Sequence, residues 1–89
     1  MNEKNIEIFI QYARLNMSNV QFKELAKLCN YYFGKPRRNG TSHCVYKTPW
    51  QGDPRVNIQL GKNGKAKIYQ VKQVLLAIEK LREHHHDKP

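Results

Sequence analysis

Two short stretches of alternation decide most of what this chain can become. Residues 42–48 set Cys44 and Tyr46 on one face and His43, Val45 and Lys47 on the other, and residues 55–60 separate Val56, Ile58 and Leu60 from Arg55, Asn57 and Gln59. Successive strand side chains point to opposite faces, so each stretch reads as a strand with one buried and one open side. The turn-forming "PWQGDP" between them makes an antiparallel pair the natural arrangement. A third short strand within residues 34–39 would complete a meander. The apolar face of such a sheet must be covered, and the rest of the chain supplies helices to do it.

Ile6, Phe9, Ile10, Ala13 and Met17 recur at helical spacing, which predicts a first helix over residues 3–15. "NMSNV" breaks it, and Ser18 or Asn19 is placed to cap a second helix carrying Phe22, Leu25, Leu28, Cys29 and Tyr32 and ending at Gly34. A Gly-Lys-rich loop, residues 61–67, leads into a last helix from about Ile68 to Arg82. Val71, Val74, Leu75, Ile78 and Leu81 lie along one side of it, and a frayed tail over residues 83–89 follows. The fold class is therefore α+β, with helices on one face of a three-stranded antiparallel sheet and the other face open. At 89 residues the chain is one domain, 1–89, with little room for a deep cavity.

The charge balance states the sign of the partner. Sixteen Lys and Arg against 7 Asp and Glu give a net charge of +9, which attracts a polyanion and supplies non-specific affinity for phosphate backbones. A membrane surface is disfavoured, because the apolar stripes are needed for the core and no run of about 18 apolar residues occurs. "MNEKNIEIFIQY" lacks the continuous apolar segment of a signal peptide, so a cytoplasmic address is expected. In that reducing compartment Cys29 and Cys44 act as small core hydrophobes rather than as a disulfide. No cofactor and no metal are expected. The carboxylates Glu3, Glu7, Glu24, Asp53, Glu79, Glu83 and Asp87 are scattered, and His84, His85 and His86 are consecutive residues whose side chains diverge. "GKNGKAK" lacks the residue order of a nucleotide-binding P-loop.

The open face is expected to carry His43, Lys47, Arg55, Asn57 and Gln59. Alternation alone accounts for polar side chains there, and the bland outcome is a solvated sheet face. Chemistry offers a sharper one. Cutting RNA without a metal requires taking a proton from a ribose 2′-hydroxyl, protonating the leaving oxygen and stabilising a phosphorane. Imidazole suits the first two tasks and Lys or Arg the third. Gly40, Thr41 and Ser42 just before His43 leave uncrowded backbone for a phosphate. Lys35, Arg37 and Arg38 precede this turn, Lys62, Lys65 and Lys67 follow the second strand, and Trp50 in the intervening turn is a stacking candidate.

The stretch "GTSHCVYKTPWQGDPRVNIQ" resembles the HicA family of toxin–antitoxin systems, whose core motif is Gly-Ser-His-His followed by two apolar or aromatic residues. Here it reads Gly40, Thr41, Ser42, His43, Cys44, Val45, Tyr46; Thr41 is an added residue, and Cys44 stands where many members carry a second His. With "GKAKIYQVKQVLLAIEKL" the likeness spans roughly residues 20–82, leaving the helix over residues 3–15 as an N-terminal extension. The resemblance implies a double-stranded-RNA-binding-domain-like fold and a messenger-RNA endoribonuclease held in check by a HicB-type antitoxin. By that likeness His43 is the catalytic histidine. Lys47, Ser42 and Gly40 are the candidates for catalytic support, Lys47 first because alternation puts it on the His43 face, while Ser42 more readily braces the turn; Arg37, Arg38, Lys47, Arg55, Lys62, Lys65 and Lys67 would hold single-stranded RNA. The principal rival is a non-catalytic RNA-binding module of the same fold, in which His43 only donates a hydrogen bond; a third is a basic protein–protein adaptor.

Overall fold

A computed structural model describes residues 2–38, 43–48 and 56–86, with side chains described for all of these except Arg38 and residues 84–86. Helix α1, Glu3–Leu15, starts where the Asn2 side chain accepts the Asn5 N–H at 2.9 Å, which satisfies one of the free donors of the first turn. Its buried stripe is Ile6, Ile10 and Ala13. These residues join the same hydrophobic core as the other helices and the sheet, so α1 is part of the packed structure.

The chain then turns through a short 3-10 segment, Met17–Asn19, before helix α2, Phe22–Phe33. Neither Ser18 nor Asn19 caps α2, contrary to the sequence expectation. Gln21 holds the cap position without a side-chain bond, and Asn19 is engaged elsewhere. Its amide donates to the Tyr12 hydroxyl at 3.0 Å, while that hydroxyl donates to the Asn19 carbonyl at 3.1 Å. The clasp fixes the corner between α1 and α2. As expected, α2 ends at Gly34, whose φ of 82° and ψ of −155° suit only a residue without a Cβ.

The sheet runs β1 (Arg37–Arg38), β2 (His43–Tyr46), β3 (Val56–Gln59), antiparallel throughout and in sequence order. Cys44, Tyr46, Val56 and Ile58 are buried, as alternation requires, and His43, Val45, Asn57 and Gln59 are half-buried on the other face. Tyr46 is inaccessible to solvent, yet its hydroxyl donates to Asn30 Oδ1 of α2 at 2.8 Å. The ring thus buries its apolar body while its polar end finds a partner, as a buried tyrosine must. Leu60 departs from the expected apolar face: it is 44% exposed, because the strand has ended at Gln59 and Leu60 pairs instead with Ala66 across a tight hairpin.

Helix α3, Ile68–His86, buries Val71, Val74, Leu75, Ile78 and Leu81, the stripe expected from its period. It runs through His86 rather than ending near Arg82, since "REHHH" contains no Gly or Pro to stop it. Arg82 ties α3 to the other two helices. Its guanidinium donates to the Glu7 carboxylate of α1 and, at 2.7 Å, to the Tyr32 hydroxyl of α2. Among the described residues no helix is long and apolar enough to cross a membrane.

Candidate functional site

The site is built on the open face, where β2 and β3 meet the start of α3. His43 begins β2 and lies directly across from Gln59, the last residue of β3. The Gln59 N–H does not point toward β2: it donates to Oε1 of Gln70 on α3 at 2.7 Å. His43 and Gln59 therefore form a non-hydrogen-bonded antiparallel pair, the closer of the two kinds, with Cα atoms about 4.5 Å apart. In the next row Arg37, Val45 and Asn57 stand in line across the three strands. Arg37 is exposed, and Val45 and Asn57 are half-buried.

The Gly-Lys segment beyond β3 is an ordered hairpin. Leu60 and Ala66 face each other, the Gly61 N–H donates to the Lys65 carbonyl at 2.8 Å, and the Lys65 N–H donates to the Lys62 carbonyl at 3.1 Å. Gly61 is required by close approach, because a Cβ there would lie 2.7 Å from the Lys65 carbonyl oxygen. The hairpin is also anchored to the body of the protein, since the Ala66 N–H donates to the Val20 carbonyl at 2.8 Å. Lys62 and Lys67 are exposed and Lys65 is half-buried. The hairpin leaves the sheet at Gln59, the residue paired with His43.

Comparison with protein-family models, curated proteins and solved structures finds no match to this chain. What can be said of the site therefore rests on its own residues. His43 lies in the terminal row of the sheet, Arg37 one same-face row further in, opposite Val45, and Lys62, Lys65 and Lys67 on the hairpin that leaves β3 after Gln59. Lys47 follows β2 at its opposite end and is exposed; four residues of extended chain put it about 13 Å from His43 along the strand. That separation keeps Lys47 and His43 from meeting at one small group. Arg38 pairs with Cys44, and its side chain is outside the description. Gly40, Thr41, Ser42, Trp50 and Arg55 lie outside the described residues.

Cys44 occupies the position after His43 and is 4% exposed, facing the core beside Cys29. Burial pushes the Cys29 thiol far above the usual cysteine range, and the neighbouring Cys44 adds to the effect. Position 44 thus points away from the open face, so a second histidine there would not stand beside the His43 ring. Among the described residues no group of three His, Cys, Asp or Glu comes together as a metal site.

Gln59 and Asn57 were legible as open-face residues, but their pairing with His43 and Val45 emerges only from the register. Gln70 was missed, although the sequence carried a signal: it shares the buried side of α3 with Val74 and Ala77, where a polar residue needs a partner. Charge segregation is another signal. Between Glu24 and Glu79 the sequence contains a single carboxylate, Asp53, while all the strands and the Lys hairpin fall in that interval.

Proposed function

We propose that this protein is a cytoplasmic, metal-independent endoribonuclease that cleaves messenger RNA, with His43 as general acid or base. The observation that carries this is the seating of His43: half-buried on the open face of a sheet and paired at short range with Gln59, in a stretch between Glu24 and Glu79 that holds a single carboxylate, Asp53. A strand whose partner is pinned by α3 holds the ring more rigidly than a loop would.

In this mechanism the His43 imidazole takes the proton of a ribose 2′-hydroxyl. The 2′-oxygen forms a bond to the adjacent phosphorus as the bond to the 5′-oxygen breaks; the leaving oxygen takes a proton from solvent, and the His43 imidazolium returns the one it took to solvent. The products are a 2′,3′-cyclic phosphate and a 5′-hydroxyl end. Gln59 is close enough to hydrogen-bond the reacting phosphate or ribose, and Arg37, Lys62, Lys65 and Lys67 oppose the charge that builds on the phosphorane. Lys47 and Arg55 would hold the strand farther along.

The sequence resemblance extends the proposal to a HicA-like toxin with a double-stranded-RNA-binding-domain-like fold, to which α1 is added. Its partner would be a HicB-type antitoxin that covers the open face and neutralises its charge. The order helix, antiparallel strands, helix in residues 22–86 supports that likeness. A chimeric RNA with a single 2′-deoxynucleotide at the cleaved position tests the chemistry. The proposal requires that this link stay intact while neighbouring ribonucleotide links are cut, and that products end in a cyclic phosphate. Cleavage at the deoxy position, or binding of RNA with no cleavage at any link, would replace the enzyme with another mechanism or with an RNA-binding module.

A further inference from the structure

We infer that the groove between the Lys hairpin and the first turns of α3 seats the single-stranded RNA segment next to the cleaved link, with Tyr69 as a stacking platform for a base. This rests on the proposed ribonuclease activity for the word "cleaved"; the groove itself is defined by geometry. It is lined by Lys62, Lys65, Lys67, Ile68, Tyr69 and Lys72, of which Tyr69 and Lys72 belong to neither the open sheet face nor the motif around His43.

Three observations converge on RNA as the occupant. The groove has four lysines and no carboxylate in its wall, and the ion pairs described elsewhere, Lys27–Glu24 and Arg82–Glu7, use none of them. Tyr69 is 64% exposed and Ile68 55% exposed, so an aromatic ring and an apolar side chain stand in water beside those charges. Cations interleaved with an exposed ring match a chain that alternates phosphates with flat bases. Finally, the groove is tied to the site through the backbone. Gln70, the residue after Tyr69, holds the N–H of Gln59, and Gln59 stands opposite His43.

The test uses full-length His43→Ala protein, so that RNA survives, and fluorescence anisotropy with labelled oligouridylates of increasing length. In that background Tyr69→Ala should weaken binding roughly 5- to 150-fold, the span of base stacking on an aromatic ring. Lys72→Ala should lower the slope of log affinity against log salt by about 0.7, one phosphate contact on a single strand. Both residues are exposed, and circular dichroism checks that the variants stay folded. Unchanged affinity and salt slope in both variants, or no RNA binding by the His43→Ala parent, would overturn the proposal. So would polyglutamate displacing RNA at equal charge concentration with Tyr69→Ala without effect, which would assign the groove to an acidic protein. The two proposals fail separately: wild-type protein that binds through the groove but cuts nothing refutes the ribonuclease alone, and cleavage indifferent to Tyr69 and Lys72 refutes the groove alone.

Discussion

Gln70 is the link between α3 and the strand that faces His43, and replacing it with methionine isolates that link. Methionine has nearly the same length and volume but lacks an amide oxygen to accept the 2.7 Å bond from the Gln59 N–H. Gln70 is 3% exposed, so the lost acceptor is not simply replaced by water. An unsatisfied donor costs about 1–3 kcal/mol. Part of this is offset because methionine avoids burying a polar amide, which leaves a net loss of about 1–2 kcal/mol. At 1.4 kcal/mol per decade, hydrogen exchange at the Gln59 amide should accelerate roughly 5- to 30-fold, while the Cys44 amide inside β2 follows only the change in global stability. Two-dimensional NMR of exchange in Gln70→Met reads both. If Gln59 exchanges at the wild-type rate in a folded variant, Gln70 does not secure β3 and the rigidity claimed for the His43 pair loses its support.

Other consequences concern the core and the corners. Gly34→Ala places a Cβ in open space but at a φ of 82°, so the cost is backbone strain, about 1–3 kcal/mol by urea unfolding; an unchanged midpoint would contradict the conformation. The Cys29 thiol is held neutral by burial in the folded protein, whereas in the unfolded chain it ionises near pH 8.5. Its folded pKa is raised, so its contribution is complete below about pH 8.5 and is lost as the pH rises further. Stability should therefore fall between pH 8 and 10 with a steeper slope, of order one proton, in wild type than in Cys29→Ala; equal slopes would refute the burial effect. Both thiols should also resist a thiol-specific reagent until the protein unfolds, because Cys29 and Cys44 are 0% and 4% exposed.

The elements were legible wherever a period was long enough to be read. The stripe Ile6–Ile10–Ala13, the stripe Val71–Val74–Ile78 and the alternation of Cys44 and Tyr46 with His43 and Val45 all bury the face that the sequence indicates. What was illegible depended on contacts distant in sequence. Asn19 is a good helix cap by type, yet Tyr12, seven residues earlier, claims its side chain. Leu60 continues an apolar alternation but falls after β3 has ended, where the Gly61–Lys65 hairpin takes over the chain direction. In the candidate site His43 and the basic residues stood out by chemistry. Gln59 became the near neighbour of His43 only through the β2–β3 register, and Lys47 was separated from it by the length of the strand.

The central claim, that His43 cuts RNA without a metal, is tested most directly by incubating a long single-stranded RNA with purified protein in EDTA beside His43→Ala, with the fold of both verified by circular dichroism. The account predicts fragments from wild type and intact RNA with the variant, a fall of at least about 100-fold, the low end for losing a general acid or base. Equal cleavage by the folded variant, or intact RNA in both despite binding, would contradict it.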